Sequence, residues 1–137
     1  PGVFFTVQTV RGKRRFGAKI IPNRGAWLEF ETDDAGFMGV KIDRKRKVAA
    51  TILLKAFLGW DDERIKKEFS DVDKGEIKYI EKTLEKDGAE NSGEALVEIY
   101  KRLRPGDLVT PDTAKELIDN TFFNFDRYDL SKVGRWR

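Results

Sequence analysis

The chain has 137 residues, 39% hydrophobic and 37% charged, a soluble globular balance that supports one domain with a modest core. It contains no histidine and no cysteine, which removes imidazole bases, thiolate nucleophiles, disulfides and nearly all zinc and iron sites, leaving an oxygen-ligated magnesium site or a carboxylate pair as conceivable chemistry. The net charge of +3 is unevenly placed: residues 1–50 carry 11 Lys/Arg against 5 Asp/Glu and residues 51–137 carry 16 against 19, so the basic first third suits a polyanion such as nucleic acid.

The sequence opens on Pro1-Gly2-Val3-Phe4-Phe5, apolar and without a methionine or a signal peptide, and reads as a piece cut from a longer polypeptide. Short β-branched and aromatic runs then predict strands over residues 3–10, 16–21, 27–32 and 37–42. The breaks are Arg11-Gly12-Lys13, Asn23-Arg24-Gly25 and Asp33-Asp34-Ala35-Gly36, whose residue types favour turns. The result is an antiparallel meander.

From Lys47 the period becomes helical. Residues 48–58 place Ile52, Leu53, Ala56 and Phe57 on one stripe and stop at Gly59. Asp61 is an N-cap, with Trp60 and Ile65 as a hydrophobic staple, for a helix through Phe69. Residues 76–86 repeat the pattern with Ile77, Ile80 and Leu84 before Gly88. Asn91 and Glu94 form a capping box that opens a helix to about Leu103. After the Pro105-Gly106 turn, Thr110-Pro111 starts a helix to about Thr121. The aromatic tail, residues 122–137, shows no clear period. The fold expected is α+β: an N-terminal antiparallel meander followed by about five helices, in a single compact domain. No apolar run approaches membrane-spanning length.

Chemistry-bearing motifs are few. Asp33-Asp34 and Asp61-Asp62 are adjacent carboxylates that do not converge on one point and read as turn and cap residues. No phosphate loop, nucleophile elbow or metal spacing is present, so an independent enzyme is the weakest reading. The run Asp43-Arg44-Lys45-Arg46-Lys47 places four cations just before the expected helix at 48–58. The positive end of a helix dipole disfavours them there, unless cations and free N–H groups meet phosphate together. A solvated basic loop is the plainer alternative. Trp27 is also two-sided: a strand tryptophan is usually core, but if Leu28 and Phe30 point inward, Trp27 points outward with Glu29 and Glu31. Beside Arg24 it would then make a base-stacking platform.

The ordered stretches Pro1 to Phe5, Ile20-Ile21-Pro22 through Arg24-Gly25 and Trp27, Val40 to Lys47 leading into Ala50-Thr51-Ile52-Leu53-Leu54, Ala95 to Tyr100, Leu103-Arg104-Pro105-Gly106, Arg127-Tyr128-Asp129-Leu130 and Val133-Gly134-Arg135 resemble the lobe domain of the bacterial RNA polymerase β subunit. They run from end to end, so residues 1–137 are expected to be one lobe domain. Similarity is least over residues 70–93, where some members carry a large insertion that this short form lacks. The resemblance implies a non-catalytic wall of the downstream DNA cleft, in the cytoplasm with the nucleoid, with no cofactor of its own and the magnesium of the polymerase held by another subunit. It implies that the residue matching Trp27 stacks on an unpaired non-template base, with Asp43 and Arg44 beside it and Arg24 in support; Lys45, Arg46 and Lys47 would hold nearby DNA backbone. It further implies that Arg102, Arg104, Pro105, Gly106, Asp107 and the residues to Pro111 form a gate loop reached by NusG-type elongation factors. Further partners are the rest of β, the other polymerase subunits and a sigma factor; no membrane is involved. A stand-alone nucleic-acid module and a protein-interaction platform remain as other classes. Trp136, after Gly134-Arg135, departs from the family pattern.

Overall fold

The computed structural model describes residues 1–75, 78–124 and 126–136, the side chain of Trp136 excepted. Five strands, β1 (Gly2–Val10), β2 (Lys13–Ile21), β3 (Leu28–Thr32), β4 (Met38–Ile42) and β5 (Val48–Ala49), form one antiparallel sheet in sequence order. Helices α1 (Ala50–Leu58), α2 (Asp62–Phe69), α3 (Tyr79–Asp87), α4 (Ser92–Leu103), α5 (Pro111–Phe122) and α6 (Ser131–Trp136) follow. This is the expected α+β class.

The local signals act as their chemistry dictates. Val10 pairs with Lys13, so Arg11 and Gly12, at φ 53° and 80°, make a two-residue turn whose left-handed backbone matches strand twist. That tight turn is why β2 starts at Lys13, three residues before the expected Phe16. Asp61 accepts from the Arg64 N–H at 2.8 Å and Thr110 from the Thr113 N–H at 3.3 Å, each satisfying an orphan donor of the first turn. In the capping box, Asn91 accepts from Glu94 N–H at 3.0 Å, but the Glu94 carboxylate reaches back one residue further than expected, to the Glu90 N–H at 2.7 Å. Ile65 is fully buried, while Trp60 carries the Arg64 guanidinium 5.0 Å from its ring centroid.

Two expectations are corrected, and the tail, which shows no period in the sequence, gains structure. Val48 and Ala49 are not helical: they pair with Val40 and Gly39 as β5, a two-residue strand too short to show a period. β3 begins at Leu28, leaving Trp27 in the loop ahead of it. The tail ends in a sixth helix, α6, which packs against β1. Of the helix expected over residues 76–86, Glu76 and Ile77 lie outside the described residues, and α3 runs from Tyr79.

One face of β3 and β4 supplies Leu28, Val40 and Ile42 to the core, where they meet Ile52, Ile99 and Ile118 of the helices. Each fully buried aliphatic side chain contributes about 1.5–3 kcal/mol. Inside this region sits a cation: the Lys55 ammonium, wholly buried, donates to Asp62 and Asp87 at 2.7 Å and to the Ala89 carbonyl at 2.6 Å. Thr51 donates to the same Asp87 oxygen at 2.8 Å. Burial opposes the charge on Lys55, but its bonds to the two aspartates prevail and hold its pKa above the ordinary value.

Candidate nucleic-acid interface

The sheet places Trp27 and the basic run side by side. Leu28 and Ile42 are the last paired residues of the β3–β4 ladder, and one step beyond them the Asp43 N–H donates to the Trp27 carbonyl at 2.9 Å. The Lys45 N–H donates to the Ile42 carbonyl at 3.0 Å, closing a turn whose central residues Asp43 and Arg44 both have left-handed backbone, φ 52° and 59°. Such backbone costs an L-residue roughly 1–2 kcal/mol, and it swings Arg44 back over the aromatic ring. The guanidinium carbon stands 5.2 Å from the centroid of the Trp27 ring, a cation–π pair contributing about 0.5–1 kcal/mol at an incompletely buried site. Leu28 is buried with Phe30 packed on the core, so these two face inward as the alternation requires, while Trp27, ahead of β3, lies outside that alternation. Trp27 itself is half-buried.

Arg24 lies three residues before Trp27, and its backbone is pinned from far along the chain. Asn23 and Arg24 N–H groups donate to the Asp129 carbonyl at 2.8 and 3.1 Å, and Asp129 N–H returns to the Arg24 carbonyl at 3.0 Å. Gly25, at φ 119°, lies where the tail crosses: a Cβ there would fall 2.5 Å from Tyr128 Cδ2 and 3.0 Å from the Arg127 carbonyl. Asp129 also holds Arg135 at 3.2 Å. These tail residues were not singled out as site residues from sequence, and no local pattern joins them to Arg24.

The five residues of the basic run divide. Lys45 and Arg46 are exposed and make no ion pair among the described residues. Lys47 lies across the sheet instead: its ammonium is 3.6 Å from Glu31, which also meets Lys41 at 3.7 Å, and a Cβ on Gly39 would collide with the Lys47 stem. The helix N-terminus expected just after the run is displaced. Helix α1 starts at Ala50, and its first residues Ala50 and Thr51 are buried, whereas Arg44, Lys45 and Arg46 are exposed. Among the hairpin cations, Arg15 forms a two-pronged contact with Asp34 at 3.3 Å; that hydrogen bond holds the Asp34 carboxyl below its ordinary range.

The second predicted region is a surface loop after α4. Lys101 and Arg102 load the last helical turn, each 4.0 Å from Glu98, which suits the helix dipole. Arg102 is half-buried with its Nε lacking a hydrogen-bond partner. Arg104, Pro105, Gly106 and Asp107 are exposed, with Gly106 at φ 89° making the turn. Leu108, fully exposed, was not singled out from sequence and is the apolar tip of the loop. Pro111 is the first residue of α5 and lies against Gly93, so it fixes the loop's end.

A five-stranded meander bearing an aromatic–guanidinium pair on its turns, backed by a helical half that extends one cationic loop, is an α+β domain whose distinctive surface is aromatic and basic. The family model for RNA polymerase Rpb2, domain 2 matches residues 1–137, and the chain belongs to that family. It is 49% identical over 139 aligned residues to the DNA-directed RNA polymerase subunit beta of Streptomyces coelicolor, covering 100% of this chain and 12% of that protein. It is 49% identical to the corresponding subunit of Renibacterium salmoninarum and 48% to that of Corynebacterium diphtheriae, again over 100% of this chain and 11% of theirs. The chain thus spans about a ninth to an eighth of the length of these relatives. No helix among the described residues is long and apolar enough to cross a membrane.

Proposed function

We propose that this domain is a non-catalytic wall of the DNA path in an RNA polymerase, and that Trp27 holds an unpaired base of the non-template strand. The observation that carries the reading is the Arg44 guanidinium 5.2 Å over the Trp27 ring, on a turn whose two central residues adopt costly backbone. Strain carried by both central residues of a turn, neither of them glycine, points to a use for it. An aromatic ring stacks any base at about 1–3 kcal/mol with little sequence preference. Arg44, Lys45 and Arg46 add a backbone-directed, salt-dependent hold. Arg24 supports from the neighbouring turn, and Lys47, directed to Glu31, contributes least. The domain takes no cofactor of its own; its partners are downstream duplex, melted strand and the remaining polymerase subunits.

The test is the lifetime of the open complex formed by a polymerase whose full-length β subunit carries Trp27→Ala, on promoters with a normal or an abasic non-template start-site position. Shortening confined to the normal base supports stacking. An unchanged lifetime on both promoters sinks it. A second reading, a docking loop for regulators such as NusG-type factors or sigma, is favoured by the fully exposed Leu108 beside Arg104 and Asp107. Leu108→Ser and Arg104→Ala would then weaken factor binding and leave the Trp27-dependent lifetime alone.

A further inference from the structure

Directly paired residues on neighbouring strands project to the same face of a sheet, so the strand registers define rows across this one. One row runs Val48, Val40, Phe30, Ala18, Phe5. It starts in the core, with Val48 and Val40 at 4% and 0% exposure, and ends in solvent with Phe5 at 79%. On the same face the Val7–Phe16 pair is 61% and 42% exposed. The helices cover β3 to β5 and reach β2, where Ile20 packs on the core and the Phe16 ring meets Tyr79 of α3 edge-on at 6.5 Å; beyond them the same apolar face stays open at Phe5 and Val7 of β1 and over the outer part of Phe16.

The edge itself, beyond the end that α6 meets, carries no chemical guard. β1 is the outermost strand, nine residues long, and its sequence GVFFTVQTV contains no charge and no proline. Natural edge strands are usually kept from pairing by lysines, prolines, bulges or shortness, and this one uses none of those residues. A long, neutral edge with exposed phenylalanine and valine is a surface made to be covered.

We infer that β1 and the Phe5–Val7–Phe16 face are the seat of the adjoining polypeptide of the same β subunit, which presents an aliphatic or aromatic surface to them. The occupant follows from where the chain leads. A Cβ on Gly134 would lie 3.2 Å from Pro1 Cβ and 3.4 Å from the Gly2 nitrogen, and α6 packs against β1. In a subunit of which this stretch is 12%, as in the Streptomyces relative, polypeptide that continues past either end therefore arrives at the foot of β1. The inference rests on family membership and is independent of the role given to Trp27.

The experiment uses full-length β carrying Phe5→Cys or Val7→Cys, with maleimide labelling of that cysteine followed by peptide mass spectrometry, in native subunit and in urea. Local burial should slow native labelling about tenfold or more relative to the unfolded subunit. The slowing should be present in β alone and unaffected by dilution. Equal rates would overturn the inference. Protection that appears only when the other subunits are added assigns the surface to one of them, and protection that fades on dilution assigns it to a second copy; either overturns it too. Hydrogen exchange of residues Gly2–Val10 in unsubstituted full-length β gives the same decision without a cysteine. Slow exchange supports the seat, and fast exchange along the outer amides of the edge overturns it.

Discussion

Replacing Lys55 by methionine removes the buried charge while keeping the length and most of the volume of the side chain. Asp87, only 3% exposed, would keep the Thr51 hydroxyl at 2.8 Å and the Ala89 N–H at 3.1 Å but lose its cation. Leaving one member of a buried pair uncompensated costs about 3–5 kcal/mol. Asp62 is 53% exposed, so its share of the pair is screened and Asp62→Asn should cost only about 0–1 kcal/mol. Asp87→Asn should cost several times more than Asp62→Asn. Urea unfolding of the 137-residue chain, followed by far-ultraviolet circular dichroism, measures all three. With a slope of about 1–3 kcal/mol per M, the Lys55→Met midpoint should fall by more than about 1 M. A neutral or stabilising Lys55→Met, or equal costs for the two aspartates, would refute the view that the buried ion pair centres on Asp87.

The same pair sets a pH dependence. Because the folded pKa of Lys55 is raised above its ordinary 10.5, its contribution is full below that value and is lost as pH rises through the folded pKa. Tyr128 also titrates high, in its case because burial raises it above its ordinary 10.0, so the Lys55 part is isolated by subtracting the alkaline unfolding curve of Lys55→Met from that of the parent. Gly25→Ala should cost about 1–3 kcal/mol, since alanine meets both a strained backbone and the Tyr128 ring; a melting temperature within a degree of the parent would contradict the tail-crossing geometry. In open complexes of the assembled polymerase, Lys45→Ala and Arg46→Ala should each lower the salt-dependence slope by about 1, while Lys47→Ala leaves it near the parent value. A Lys47 effect as large as the other two would show that its Glu31 pairing yields to DNA.

What could be read from the sequence was what local chemistry decides. Asp61, Asn91 and Thr110 announce helix starts because a short polar side chain satisfies N–H groups within three residues of itself. Leu28 and Phe30 declare their face because strand side chains alternate. Hidden features depend on residues distant in sequence. Lys55 is the one charged residue of α1, and nothing local says that Asp62 and Asp87 will close on it. Val48–Ala49 becomes a strand only because β4 offers a partner. Trp27, Asp43 and Arg44 were grouped through family resemblance; their contact needs the β3–β4 register and two left-handed residues that no spacing rule supplies. The division of the basic run, with Lys47 turned away, needs Glu31 on the adjoining strand.

The seam between Arg24 and Asp129 gives the tryptophan turn a mechanical character. Three backbone hydrogen bonds join the loop that leads into Trp27 to a tail whose next turn enters α6, and Gly25 lets the two run in contact without slack. The loop that carries the aromatic ring is thereby anchored at the far end of the chain, and a displacement of that tail would strain these three bonds before any contact of the hydrophobic core.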